Sequence, residues 1–352
     1  MPHDPRAQLV EERPKAAFLG DLGALVRRLP RARLTLALGL LALIAVPWVV
    51  RDPYLLHMIN MALIFILVAS SLNLLVGYAG RLNLGYAAFY GVGAYTSALL
   101  TLKLGWPFWV TLPLGGLVSL AVGLVIGVPC LRLKGPYLAI ATLSFGEITR
   151  IIAHNWDAVT NGPLGVRGIP APNPIPIPGL GTITFVSKTN YYYLLLVVVL
   201  LCLWGIRRLI QSQLGRSFQA LREDDILAEH VGINTVWAKL VNYAVSAFFA
   251  GIAGVLYAHY IRYVSPETLS LGESFTMVAM VVVGGMGTFT GPIVGAILFT
   301  WLPEILRVAA SYRMVIYGAI MMLSILFMRS GLVGAYATLM ERWQHWREGR
   351  TP

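Results

Sequence analysis

Gly215-Arg216-Ser217-Phe218-Gln219-Ala220-Leu221-Arg222-Glu223-Asp224-Asp225-Ile226-Leu227-Ala228-Glu229-His230-Val231-Gly232-Ile233 is the most charged internal segment of a 352-residue chain that is otherwise strongly apolar. An apolar run closing at Arg207-Arg208 precedes it, and another opens near Trp237. A polar segment between two runs long enough to cross a bilayer reads as a water-exposed helix joining two membrane spans. Ser217 is placed to cap its start and Gly232 to stop it. Leu221, Ile226, Leu227, Val231 and Ile233 give it a greasy side, and Arg222, Asp224, Asp225 and Glu229 a wet one. Such a helix suits docking to a soluble partner.

The rest of the composition agrees. The chain is 57% hydrophobic and 12% charged, against about 25% charged in soluble domains. The net charge of +11 is gathered in short clusters beside apolar runs, such as Arg27, Arg28, Arg31 and Arg33, then Arg132 and Lys134, then Arg207 and Arg208. That is the pattern of inner membrane loops, without the continuous basic face of a nucleic-acid binder. Cys130 and Cys202 both lie in apolar runs and form neither a disulfide framework nor a metal cluster. His57, His154, His230 and His259 are scattered, and no metal-binding His pair, nucleophile elbow or pair of catalytic carboxylates stands out. The expectation is a membrane protein with no enzymatic activity in this chain. No lysine follows a glycine, so the chain offers no phosphate-binding loop of the Gly-x-x-x-x-Gly-Lys type.

Spans are expected at 34–50, 54–76, 84–104, 108–131, 136–153, 191–210, 237–261, 273–283, 289–306 and 313–328. The fold class is therefore all-α, a polytopic transmembrane helix bundle of about ten spans (nine to eleven). Residues 1–33 form an N-terminal tail, 34–330 the transmembrane body and 331–352 a C-terminal tail. Both tails are placed in the cytoplasm, because Arg81, Arg132, Lys134, Arg207, Arg208, Arg216, Arg222 and Arg329 then fall on the inner side. Residues 211–236 form the inner loop, and 154–190 a long outer loop. The outer loop is dense in Pro and Gly, which favours a stiff extended path serving as a connector or as part of a docking face.

Gly77, Gly80, Gly85, Gly91 and Gly93 form one small-residue cluster; Gly284, Gly285, Gly287, Gly291 and Gly295, with Pro292, form another. Close helix packing explains both, and interrupted helices lining a pathway explain them as well. Halves starting at the second and seventh spans would be inverted copies, as in many transporters, though the clusters do not fall at matching offsets. Glu147 and Arg150 share a helix face and can pair, as can Glu304 and Arg307. Asn60, Asn73, Asn83, Thr142 and Ser144 are polar positions suited to a path or to bonds between helices.

Several separated motifs resemble the branched-chain amino acid permease family of ABC importers, M-type subunit. They are Leu72-Asn73-Leu74-Leu75-Val76-Gly77-Tyr78-Ala79-Gly80, Asn83-Leu84-Gly85, Gly93-Ala94-Tyr95, Thr142-Leu143-Ser144-Phe145-Gly146-Glu147-Ile148, Gly284-Gly285-Met286-Gly287 with Gly291-Pro292, and the run 215–234. Ala228 and Gly232 fit the Ala-x-x-x-Gly core of that family's coupling loop. The chain departs from the pattern at Tyr86, where the family usually has histidine, at Leu227, and at Asn161 and Leu164.

The resemblance implies a type II importer-like permease in the bacterial inner membrane. It implies partnership with a second, H-type permease, two cytoplasmic ATPase subunits and an extracytoplasmic binding protein. ATP and Mg would bind the partners, and this chain would hold no cofactor. The coupling surface would comprise Ala220, Arg222, Glu223, Asp224, Asp225, Ala228, Glu229 and Gly232. Asn73, Gly77, Gly80, Asn83, Gly85, Gly93, Thr142, Glu147, Gly284, Gly285, Gly287, Gly291 and Pro292 are candidates for the pathway or for helix packing. The implied cargo is a branched-chain or related hydrophobic amino acid. Relatives carrying urea, short amides or other amino acids, and an ion-coupled secondary transporter, are the alternatives.

Overall fold

The computed structural model describes residues 30–177 and 181–305, with short stretches between residues 315 and 340. Helix α1 (Pro30–Val49) belongs to a first unit that ends at Arg51. The second unit begins with Asp52, whose carboxylate accepts from Tyr54 N at 2.9 Å and caps α2 (Pro53–Asn73). Helix α2 runs on into a π-helical turn, Leu74–Tyr78. Helices α3 (Ala87–Leu104), α4 (Phe108–Cys130) and α5 (Gly135–Asn155) follow. Then come α6 (Lys188–Gln211), α7 (Gln213–Glu223), α8 (Asp225–His230), α9 (Thr235–Ile261), α10 (Leu271–Gly284) and α11 (Gly291–Ile305).

The architecture is all-α, a bundle of largely apolar helices joined by short strands and turns. Four helices, α2 with its π turn, α4, α6 and α9, are long and apolar enough to cross a membrane. Helices α3, α5, α10 and α11 are shorter or interrupted by polar groups, so apolar length alone establishes fewer spans than the ten expected. The span expected at 313–328 and both tails lie largely outside the described residues.

The core forms where α9 lies against α4 and α3. Gly93 of α3 meets the backbone of Gly251 of α9 so closely that a Cβ at Gly93 would overlap it. Lipid tails supply no hydrophobic drive for helices to associate, so close approach through small residues is the main source of packing energy. Tyr86, the departure from histidine, is fully buried; its hydroxyl lies 2.9 Å from Ser71 Oγ and 2.9 Å from Ser246 Oγ, tying α3 to α2 and α9.

The connections fall at two ends. At one, Asn73 meets Thr288, Arg222 meets Gly77 and Arg81 meets Cys130. At the other, His57 meets Tyr260, Lys188 meets Pro53 and His259 meets Pro170. The long 154–190 loop lies at the second end and is less featureless than its composition suggests. Strand β1 (Val166–Arg167) pairs antiparallel with β4 (Tyr263–Val264), and β2 (Ile175–Ile177) with β3 (Gly181–Ile183). Proline is accepted in such short edge strands because little of their backbone needs a partner.

Candidate functional site

The charged segment between α6 and α9 is two helices rather than one. Asp224 takes an extended conformation (φ −158°, ψ 120°), and its Oδ1 accepts from Ile226 N at 2.7 Å and Leu227 N at 3.2 Å. Three successive carboxylates at the end of α7 would oppose the helix dipole, whereas the start of α8 favours them, and aspartate is a strong N-cap. Ser217 is therefore no cap. It sits inside α7, with Oγ bonded back to Gln213 O at 3.1 Å. Gly232 does stop α8: it sits at φ +86°, and Ile233 N donates to Ala228 O at 3.0 Å, as a left-handed cap requires.

The break also exchanges the expected faces. Phe218, Leu221 and Ala228 are buried, while Leu227 is 66% and Val231 77% exposed, beside exposed Ile226, Val236 and Trp237. The greasy surface of α8 faces away from the bundle. Two charged residues expected on the wet side point to the bundle instead. Arg222 Nη1 donates to Gly77 O at 2.7 Å, at the C-terminal end of α2 where carbonyls lack helical partners and a cation is favoured. Its stem runs along Gly80, and its guanidinium occupies the space a Cβ on Gly287 would need. Asp225 accepts from Lys239 Nζ at 2.9 Å, with Lys134 at 3.3 Å and Arg81 at 3.8 Å. Burial pushes the Asp225 carboxyl up, but the Lys239 hydrogen bond and the Lys239, Arg81 and Lys134 charges outweigh it and hold the group below the usual carboxylate range. A cavity of about 300 Å³ is lined by Glu223, Asp224 and Asp225 on one side and by Gly80, Arg81 and Lys134 on the other.

The joint is extended by amides. Asn73 Nδ2 donates to Thr288 O at 2.8 Å and its Oδ1 accepts from Gly287 N at 3.0 Å, clamping the α10–α11 turn to α2. Asn242 Nδ2 donates to Leu74 O at 3.0 Å from α9. Asn73, Gly77, Gly80, Gly287, Arg222 and Asp225 thus meet at one end. Ala220 lies half-buried on α7, and Glu223, Asp224 and Glu229 are exposed.

The remaining candidates do other work. Asn83 Oδ1 accepts from Gly85 N at 3.0 Å, and Thr142 Oγ1 accepts from Leu84 N at 3.1 Å, so both hold the turn before α3. Gly85 packs on the Thr142 carbonyl, Gly284 on that of Gly291, and Gly291 on that of Gly285, with Pro292 next in the first turn of α11. Glu147 pairs with Arg150, whose Nε donates to both carboxylate oxygens at 3.0 Å. Lys239 and Asn242 were not marked by the sequence reading; a cation just inside an apolar run was the available signal for Lys239. Among the described residues no group of His, Cys, Asp and Glu is arranged to hold a metal.

Residues 54–325 match the family model described as the permease component of the branched-chain amino acid transport system. The chain is 39% identical over 291 residues to the high-affinity branched-chain amino acid transport system permease protein LivM of Salmonella typhimurium, covering 78% of this chain and 68% of that protein. The Escherichia coli LivM is 38% identical over the same shares. The permease protein LivH of Salmonella typhimurium is 23% identical over 283 residues, covering 77% of this chain and 91% of that one. No solved structure matches. The segments that build the joint, 72–80, 215–234 and 284–292, all lie within the matched span, and a match this broad makes the chain a member of the branched-chain amino acid transport system permease family.

Proposed function

We propose that this chain is one transmembrane subunit of an ATP-driven importer that carries branched-chain or related hydrophobic amino acids into the cytoplasm of a bacterium. The observation that carries the reading is the elbow α7–α8. It turns an apolar surface of Ile226, Leu227 and Val231 away from the bundle while Arg222 and Asp225 fasten it to the helix ends. An exposed apolar patch beside polar residues marks a protein contact. Two cytoplasmic ATPase subunits hold ATP and Mg, and one of them grips this elbow; a second permease of the H type completes the pathway, and an extracytoplasmic binding protein delivers cargo. The elbow end and both termini then lie in the cytoplasm, and the 154–190 loop lies outside the inner membrane. Alternating access follows as a partner's ATP cycle biases a two-state membrane element through this contact.

The test is uptake by proteoliposomes holding the chain with its partner subunits and binding protein. Leucine, isoleucine or valine accumulation that requires ATP on the elbow side supports the reading. Accumulation driven by an ion gradient without ATP, or uptake only of urea or short amides, overturns it.

A further inference from the structure

At the end opposite the elbow, α2, α10 and α11 line a half-open cavity of about 550 Å³, within the range of small-molecule sites. Two carboxylates line it, Glu273 in the first turn of α10 and Glu304 near the end of α11. The Glu273 carboxyl makes no hydrogen bond or ion pair among the described residues. Glu147 has Arg150 and Asp225 has three cations, so Glu273 contrasts with both. An ionisable group at membrane depth is costly without a partner of opposite charge.

Deeper in the same cavity Met61, Phe65, Met280 and Phe299 make the lining largely apolar, with Thr276 and Thr300 among them. His57 and Phe65 are eight residues apart on α2, about 12 Å along the helix axis, so the cavity has polar and apolar levels. A bare inorganic cation would satisfy Glu273 and leave this floor without purpose. A ligand with an ammonium at one end and a short aliphatic chain at the other satisfies both. Methionine side chains adapt to several branched shapes. His57, whose Nδ1 lies 2.8 Å from Tyr260 OH, stands at the polar level with its second ring nitrogen left for a carboxylate.

We propose that this cavity is a substrate subsite of the permease, taking a free amino acid with an aliphatic side chain, its ammonium on Glu273 and its side chain among Met61, Phe65 and Met280. The inference rests on the reading of the chain as an amino-acid permease and adds a site within the membrane part, beyond whatever the binding protein selects.

The experiment is equilibrium binding of labelled leucine to the complete permease–ATPase complex, without binding protein. Nanodiscs of phosphatidylglycerol keep ammonium-bearing lipid from competing; adding phosphatidylethanolamine in a second arm tests for a lipid occupant. Competitors are isoamylamine, which lacks the carboxylate, and 4-methylpentanoate, which lacks the ammonium. The wild type is expected to bind leucine and isoamylamine, and 4-methylpentanoate at least about tenfold more weakly. Glu273→Gln is expected to weaken leucine about ten- to hundredfold and to erase that discrimination, as loss of a charged contact does. Met280→Ala is expected to shift preference from leucine towards phenylalanine, which keeps the test open if the Gln variant fails to assemble. Displacement of leucine by phosphatidylethanolamine, no leucine binding at millimolar concentrations, or unchanged discrimination in Glu273→Gln overturns the subsite. ATP-driven leucine uptake by the same complex, measured with binding protein, separates that failure from failure of the transport reading itself.

Discussion

The guanidinium of Arg222 fills the space in front of Gly287 where any other residue would carry its Cβ. Gly287 sits at φ +75°, and Arg222 Nη1 reaches past it to Gly77 O. One arginine from the elbow therefore touches the end of α2 and the α10–α11 turn together, and Asn73 locks those two to each other.

Gly287→Ala is expected to evict Arg222 and to strain the left-handed backbone, costing about 1–3 kcal/mol. The double variant Arg222→Ala/Gly287→Ala removes the collision and keeps the backbone strain and the single loss of the Arg222–Gly77 hydrogen bond. Thermal melting of the reconstituted complex should show the pair costing less than the sum of the single changes. Additive costs would mean that the two residues do not compete for one space.

Asp225→Asn leaves buried Lys239 and Arg81 without their counter-charge, and is expected to loosen the elbow by about 3 kcal/mol. The pH dependence has a definite sign. The folded carboxyl titrates below its unfolded value, so its stabilisation is complete above the ordinary carboxylate range, about pH 4, and is lost as pH falls through the lower folded value. Hydrogen exchange of α7 and α8 amides, followed against pH, should be flat relative to the intrinsic rate near neutrality and rise only in acid. The Asn variant should already exchange fast at neutral pH.

Asp224→Ala removes the cap that separates α7 from α8, and is expected to cost about 1 kcal/mol. The larger effect is directional: without the break, Leu227 and Val231 rotate away from their present surface. ATPase subunits should bind this variant more weakly in a pull-down than their binding to Ser217→Ala, since Ser217 caps nothing.

Leu227→Asp places a charge on a side chain that is already 66% exposed, so folding should change by no more than about 0.5 kcal/mol. Association with the ATPase subunits and ATP-driven uptake should both fall about tenfold or more, as when a central apolar contact is lost. Normal uptake would remove α8 from the interface. Ala228→Arg is a poorer probe, because Ala228 is 2% exposed and an arginine there would disrupt the elbow itself.

Much of the helix plan was readable because it depends on neighbours in the chain. The runs at 108–131, 191–210 and 237–261 emerge within a few residues as α4, α6 and α9. Glu147 and Arg150 could be paired on paper because three residues bring them to one face. The candidate site was readable only as a list. Asn73 and Thr288 are joined across 215 positions, and nothing near either residue names the other. The faces of the elbow differ from those of one continuous helix because the chain turns extended at Asp224 and restarts the helical phase.

Residue order alone marks this chain as a membrane helix bundle with one charged internal segment, and it shows no phosphate loop. Those properties rest on apolar length, loop charge and a local motif. Only the tertiary structure decided what the elbow's charges do. Asp225 turns inward where Arg81, Lys134 and Lys239 converge from three separate connections, and Arg222 follows the unpaired carbonyl at the end of α2. Side chains settle where distant partners offset their desolvation, and that field exists only once the helices have packed.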